Sequence, residues 1–310
     1  MTRARSIFGL YVALSAVGAV ATALALFAAT TVITVSGTSP AKLLDACRSF
    51  VLPRVTVSSA VALALGSVAF AALALAARSA VRQVRASRAF LRGLEVVGPL
   101  RTGGGLVIAD ERSMAFCAGL LRPQVYVSRG ALESLTQREL EAVLAHEAHH
   151  ARFRDPLRIF FARVLSEALF FLPALRKLSD RYAALAELAA DEAAVRRHEG
   201  DTKPLAAALL AFDAREASSA VVGIAPERID HLLGERTRWE LPIALLAWSA
   251  VAVSAIIVVA LRTADASTHP MFSLPLVATQ LCMFLMAVVP LMLGSSALLG
   301  GGRLVRTLRR

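Results

Sequence analysis

The chain has 310 residues, of which 56% are hydrophobic and 18% are charged, and its mean hydropathy is +0.61. This composition argues against an ordinary soluble protein and indicates a membrane protein. The three cysteines lie in separate segments without a C-x-x-C pair, which argues against a disulfide framework or a cysteine zinc cluster. Much of the net charge of +11 is arginine beside apolar segments, a distribution that membrane orientation explains better than nucleic-acid binding.

Four apolar stretches predict four membrane-spanning helices, at about residues 7–35, 55–77, 241–261 and 274–299. The first follows Arg3 and Arg5, as in a cleaved signal peptide. Its apolar run is longer than the hydrophobic core of such a peptide, so an uncleaved span is the preferred interpretation. The arginine bias predicts a multi-pass protein of the inner (plasma) membrane with both termini on the cytoplasmic side.

The segment between the second and third spans, residues 78–240, is predicted to be a cytoplasmic domain between the membrane regions 1–77 and 241–310. It opens with five arginines whose spacing suits a helix leaving the bilayer beside lipid headgroups, namely Arg78, Arg82, Arg85, Arg88 and Arg92. Phe90 is the only aromatic residue in the segment 78–92, so the segment offers little aromatic surface on which nucleic-acid bases could stack. Membrane lipids are therefore expected partners, and direct nucleic-acid binding is not expected.

Short strands separated by turn signals are predicted in residues 94–128. The glycine run 103–105 could be mistaken for a phosphate loop, but no Lys-Ser/Thr follows it, so a hairpin turn is the preferred interpretation. The segment 114–118 is a candidate edge strand that could pair with an extended substrate backbone.

A helix is predicted over residues 134–155. Thr136 and Glu139 have the spacing of a capping box at its start. Asp155 and Pro156 supply a stop signal at its end.

This helix contains the sequence HEAHH, which begins at His146 and fits the H-E-x-x-H pattern. Because His146 and His150 are four residues apart, they lie on one helical face and can converge on one metal ion. Glu147 then lies beside the ion, where a general base for the attacking water is needed. A polar helix face with surface histidines is the alternative, and His149 is expected to lie outside the ligand set.

Two helices are predicted after the motif, over residues 157–175 and 178–199. The first is strongly apolar but carries charges, so a buried or interfacial helix is preferred to a further span. Within it, Arg163 and Glu167 are four residues apart and are predicted to pair. Another helix is expected to begin at Pro204.

A third metal ligand has to come from elsewhere, because Pro156 occupies the position at which a metzincin carries its third histidine. Glu187 and Asp191 are four residues apart on an alanine-rich helix face. Glu187 would bind the ion, and Asp191 would accept the far N–H of a ligating histidine and fix its tautomer. A solvated acidic face that includes Asp180 and Glu192 is the alternative.

With these residues the chain resembles the BlaR/MecR family of membrane metallopeptidases, which are of the gluzincin type. The motifs that carry the resemblance are H-E-x-x-H, the R-D-P-L sequence at 154–157, the E-x-x-x-D pair and the arrangement of the spans. The resemblance is most specific over residues 78–240. It implies a membrane α-helical protein with four transmembrane helices and a cytoplasmic α+β, gluzincin-like zinc metalloprotease domain.

The resemblance also implies roles for single residues. It implies one Zn²⁺ ion with three ligands from this chain, namely His146, His150 and Glu187. Glu147 would be the general base of peptide hydrolysis. Arg228 and His231 lie where related proteases supply a donor to the oxyanion. The alternatives are that Arg228 only pairs with Glu227 or Asp230, and that His231 is a surface residue.

The antibiotic sensors of this family bring about the cleavage of a cytoplasmic transcriptional repressor. A protein or peptide substrate, such as a repressor in a signalling pathway, is therefore expected. Those sensors carry a penicillin-binding domain after the last span, whereas only a short basic tail follows here, so β-lactam sensing by that route is not expected.

Three other interpretations are weaker. A Ste24/HtpX-like quality-control protease shares both motifs, but that family places membrane segments between them. A non-catalytic zinc-binding membrane scaffold would have no need of Glu147. In an intramembrane protease, the charges around the motif would each cost about 2.5–3.5 kcal/mol at mid-bilayer.

Overall fold

The computed structural model describes residues 2–34, 41, 56–101, 104–216, 228, 241–266 and 272–273. The helices in these ranges are α1 (Thr2–Val32), α2 (Val57–Arg92), α3 (Arg129–Ser134), α4 (Gln137–Phe153), α5 (Asp155–Ala168), α6 (Pro173–Arg197), α7 (Lys203–Glu216) and α8 (Ile243–Ala266). The strands are β1 (Ile33–Thr34), β2 (Val96–Pro99), β3 (Leu106–Ile108), β4 (Ala115–Ala118), β5 (Gln124–Ser128) and β6 (Phe272–Ser273).

Three of these helices are long and apolar enough to cross a membrane, namely α1, α2 and α8. They contain most of the spans predicted at 7–35, 55–77 and 241–261, whereas the span predicted at 274–299 lies outside the described residues. Helix α2 continues without a break from its apolar half through the arginine run, as expected. No glycine or proline follows Gly66 within it to interrupt the helix.

The chain divides into two compact units, Met1–Val20 with Ala71–Ser254 and Ala21–Phe70 with Ala255–Arg310. In the second unit, β1 and β6 pair in parallel and Val32 packs on Ala62. Gly66 allows a close helix contact there, because a Cβ at this position would lie 2.5 Å from the Cβ of Ala29. The division at residues 77 and 240 expected from the sequence stays a prediction.

The first unit contains a four-stranded sheet with the strand order β2-β3-β5-β4. Strands β2 and β3 form an antiparallel hairpin whose turn includes Gly104 at a φ of +70°, which confirms the predicted hairpin. Strand β3 runs parallel to β5, and β4 runs antiparallel to β5. Within the described chain β4 pairs with no other strand, so the predicted edge strand is confirmed.

Helix α4 lies at the centre of this unit and contacts β4, β5, α6 and α7. Its apolar residues Leu140, Val143 and Leu144 recur at helical spacing and pack against Val125 and Val127 of β5. The predicted capping box is present: the Thr136 side chain accepts from the Glu139 N–H, and the Glu139 carboxylate accepts from the Thr136 N–H. The motif helix is thus anchored between the sheet and other helices.

Helix α4 ends at Arg154, which adopts a left-handed conformation with a φ of 53°. Helix α5 starts at the next residue, with Pro156 in its first turn. The continuous helix predicted over 157–175 is wrong at its end, because α5 stops at Ala168 and α6 already begins at Pro173. Proline disfavours helical backbone in the residue before it and suits the first turn of a new helix.

The predicted pairing of Arg163 with Glu167 is also wrong. Glu167 instead binds Arg82 of α2, with Nη2 and Oε1 2.6 Å apart. A pair at this spacing on one helix contributes only about 0.2–0.5 kcal/mol, so a partner from a neighbouring helix readily displaces it.

Candidate active site

The two motif histidines lie together on the inner face of α4. His146 and His150 are buried, and their Nε2 atoms are 3.2 Å apart. Glu187 of α6 faces both rings: its Oε2 lies 3.5 Å from Nε2 of His146, and its Oε1 lies 3.5 Å from Nε2 of His150. The structure thus brings together the three residues predicted as metal ligands, and their donor atoms all lie within 4.8 Å of one another.

These distances fit one metal ion. Two nitrogens at zinc–nitrogen bond lengths of about 2.0–2.1 Å in a tetrahedral site stand roughly 3.3 Å apart. The observed separation of 3.2 Å matches this value without rearrangement of the helix. Two imidazoles and a carboxylate are also a donor set typical of catalytic zinc.

The far side of His146 faces Asp191, which is fully buried on α6. Nδ1 of His146 lies 2.9 Å from Oδ1 of Asp191, at ion-pair distance but off the line of a well-directed hydrogen bond. Burial lowers the pKa of His146, but Asp191, Glu187 and Glu147 outweigh it and raise the pKa to about 9. Asp191 thus lies beside the histidine that the sequence analysis assigned to it, while its role in fixing the tautomer stays a prediction.

The far side of His150 faces Asp155, which from the sequence is expected only to end the helix. His150 Nδ1 and Asp155 Oδ2 are 2.9 Å apart, and Tyr182 donates its hydroxyl hydrogen to the other Asp155 oxygen at 2.9 Å. Both Asp155 and Tyr182 are buried. Asp155 therefore stands beside Nδ1 of His150 in the same way that Asp191 stands beside Nδ1 of His146.

Arg228 also lies at the site. Its Nε and Nη2 donate to the two oxygens of Asp191 at 2.9 and 2.6 Å, and Nη1 is 3.3 Å from Glu187. Burial raises the pKa of Asp191, but His146 and Arg228 outweigh it and hold that pKa below its ordinary value. Arg228 is thus at the site, but its predicted role as a donor to the oxyanion stays a prediction, and His231 lies outside the described residues.

Glu147 follows His146 directly on the same helix and is half-buried. Burial raises its pKa, while His146, His150 and the Cys117 backbone N–H act in the opposite direction. Cys117, on β4, is a free cysteine. Burial, assisted by the charges of Glu147 and Asp155, raises the pKa of its thiol to about 12, so it is not a thiolate nucleophile at neutral pH.

The site opens into a cleft of about 580 Å³. Edge strand β4 forms part of its wall with Ala115, Phe116 and Cys117, and further apolar residues line it, namely Leu120, Val143, Ile159, Phe160, Leu205, Leu209 and Phe212. His149 is not part of this lining and packs its ring on Phe153, with centroids 4.5 Å apart. His149 is thus not among the three residues whose donor atoms converge.

The described residues contain an H-E-x-x-H helix, a carboxylate that faces both of its histidines, and three helices of membrane length. Together these features define a membrane-bound peptidase. A family model described as BlaR1 peptidase M56 matches residues 12–238, which is most of the chain, and the protein belongs to that family. The resemblance to the BlaR/MecR peptidases is thereby confirmed. None of the curated proteins compared with the chain matches it.

Proposed function

We propose that the protein is an integral membrane zinc endopeptidase. The observation that carries this proposal is the convergence of His146, His150 and Glu187, whose donor atoms stand at the distances that one tetrahedral ion requires. A bound Zn²⁺ would supply Lewis-acid chemistry, polarising the scissile carbonyl and lowering the pKa of the attacking water. Asp191 and Asp155 would hold the two imidazoles with Nε2 directed at the ion.

Glu147 would act as the general base. It would take a proton from the attacking water and pass it to the leaving amine nitrogen. Its half-buried position next to both histidines supports this role, since a base has to lie beside the ligand set rather than within it.

The substrate would bind as an extended strand along β4. The backbone groups on the outer side of this edge strand have no strand partner in the described part of the chain. Residues of β4 line the cleft together with His146 and Glu147. Main-chain pairing there would bring the scissile bond beside the base.

Arg228 and His231 would stabilise the oxyanion of the tetrahedral intermediate. Three nitrogens of Arg228 contact Asp191 or Glu187, which holds the guanidinium at the site. A guanidinium has five N–H donors, so two remain for the substrate.

Replacing Glu147 with Gln tests this function. The purified variant should keep its bound zinc, measured by elemental analysis, but lose peptide cleavage by about two to four orders of magnitude because the base is gone. Glu141→Gln, on the exposed part of the same helix, is the matched control and should cleave normally. Cleavage by the Glu147 variant at the rate of the unaltered protein would refute the mechanism.

In cells, we propose that the peptidase domain faces the cytoplasm and cuts a transcriptional repressor in a signalling pathway. The family match supports the peptidase role that this proposal requires. A Ste24/HtpX-like quality-control role is the second candidate. Comparing new protein N-termini in cells that carry the active protein or Glu147→Gln separates them: one cut repressor supports signalling, and many cut membrane proteins support quality control.

A further inference from the structure

Arg163 is a cation on the wall of the cleft. It lies on α5, on the face that also turns Asp155, Ile159 and Phe160 toward the cleft, because these positions recur every three to four residues. Its side chain is exposed. Arg163 is therefore within reach of a peptide bound in the cleft.

The acids around Arg163 have other partners. Glu167, one turn further along α5, is bound by Arg82 at 2.6 Å. Asp155 faces His150 and Tyr182. Within the part of the chain that the structure describes, Arg163 has no acid within ion-pair distance, so its charge remains available to a ligand.

Arg228 is the other arginine that lines the cleft, and its charge is already compensated. It forms a two-point contact with Asp191 and a further contact with Glu187. The acids that line the cleft, Glu147, Asp155 and Glu187, lie at the site that the histidines form. An acidic side chain on a bound peptide would therefore be attracted more strongly to Arg163 than to Arg228.

We propose that Arg163 selects substrates that carry a carboxylate at a set distance from the scissile bond. The inference rests on the proposed peptide hydrolysis. Arg163 is eight residues beyond Asp155, or roughly 12 Å along the helix, so it stands apart from the histidine pair on the cleft wall. Its fixed place on a helix would select the position of the acidic residue relative to the cleaved bond, and not only its presence.

Quenched fluorescent peptides with amidated C-termini test the proposal. Asp, Ala or Lys is placed in turn at each of the four positions on either side of the cleaved bond. The unaltered protein should prefer Asp over Ala by about two- to fivefold in kcat/KM at one such position, since an exposed ion pair contributes only modestly. Free-acid peptides with neutral side chains show whether a chain-terminal carboxylate is accepted in place of a side chain.

The charge-reversed variant Arg163→Glu should prefer Lys at that same position while still cleaving the Ala peptide. Arg138→Glu is the matched control, because Arg138 is exposed on α4, does not line the cleft, and undergoes the same change of charge. It should keep the preference for Asp. An unchanged preference in Arg163→Glu, or equal cleavage of the Asp, Ala and Lys peptides by the unaltered protein, would overturn the inference.

Binding separates this inference from the proposed function. Fluorescence anisotropy with the same peptides can be measured on Glu147→Gln, alone and combined with Arg163→Glu. If no peptide is cleaved by the unaltered protein but the Asp preference in binding is lost with Arg163, the hydrolase proposal fails and the recognition role stands. If peptides are cleaved with no dependence on Arg163, only the recognition role fails.

Discussion

Each histidine on the inner face of α4 has its outer ring nitrogen beside a buried carboxylate. His146 faces Asp191, and His150 faces Asp155, in both cases at 2.9 Å. A carboxylate in this position fixes the ring orientation and leaves the opposite nitrogen free to bind a metal. Because both carboxylates are buried, water competes little for these contacts.

Asp155→Asn should weaken zinc binding about 10- to 100-fold, because the amide carries no charge to hold the His150 ring and favour its metal-binding form. Tyr182→Phe should have a smaller effect, since it removes one hydrogen bond to a carboxylate that still faces His150. Competition of the purified protein with a chelator of known affinity measures both.

Asp180→Asn, which changes an exposed residue on α6, serves as the control and should bind zinc normally. If Asp155→Asn retains the affinity of the unaltered protein, Asp155 does not position His150.

At the residue scale, sequence predicts what local spacing encodes. The i, i+4 rule placed His146 and His150 on one face, and it suggested Glu187 with Asp191. Asp155 was missed because the left-handed Arg154 lies between it and the motif helix, and helical spacing rules do not extend across such a break. An aspartate directly after a metal-motif helix is the signal that was available.

Contacts distant in the sequence are a second reason for residue-scale errors. The partner of Glu167 is Arg82, 85 residues away, and no local pattern indicates it. Arg228 reaches Asp191 across 37 residues, and only the family resemblance placed it at the site.

At the scale of single elements, α4 is held at both ends. The capping box satisfies backbone N–H groups at its start, and the left-handed Arg154 ends it so that α5 can leave in a new direction. Both histidines lie in the second half of the helix, so their positions relative to each other depend on this half remaining helical.

Thr136→Ala should lower the stability of the first unit by about 1 kcal/mol, because the Glu139 N–H loses its cap. Thermal unfolding in detergent, followed by circular dichroism, measures the effect as a lower midpoint. Gln137→Ala, at the neighbouring exposed position, is the control, and its free energy of unfolding should differ from that of the original protein by only a few tenths of a kcal/mol. Equal stability of the Thr136 variant and the original protein would show that the cap is dispensable.

The elements that the sequence predicted well are those with strong local signals. Turn glycines indicated the β2–β3 hairpin, and the capping box indicated the start of α4. The boundary between α5 and α6 was misplaced because apolar residues run continuously from 168 to 172, so hydropathy does not mark the break. Pro173 marks the break sterically, because proline disfavours helical backbone in the residue before it.

At the scale of the whole molecule, the composition is that of a membrane protein, and α1, α2 and α8 are its membrane-length helices. Helix α2 carries its arginines directly after the apolar half, so that a single helix contains both an apolar span and a basic segment. Arginine beside a span favours the cytoplasmic side of a membrane.

A cysteine placed at Arg88 should therefore react with a membrane-impermeant maleimide only after the cells are broken. Ser39→Cys lies between the spans predicted at 7–35 and 55–77, which a cytoplasmic N-terminus would place on the outer side, and it should react in intact cells. Both changes are made in a background in which Cys47, Cys117 and Cys282 are replaced by serine. Labelling of the cysteine at position 88 in intact cells would reverse the proposed orientation.

Strand β4 has one further consequence for the proposed peptidase. Main-chain pairing along four residues, Ala115–Ala118, accepts nearly any side chains but requires a partner whose own backbone is unpaired. A tightly folded protein cannot satisfy that requirement without local unfolding, whereas an unstructured tail or an opened loop can. Whether a protein can be cleaved would thus depend first on whether it has an unfolded segment. A binding partner that orders or releases such a segment would then control when that protein is cleaved.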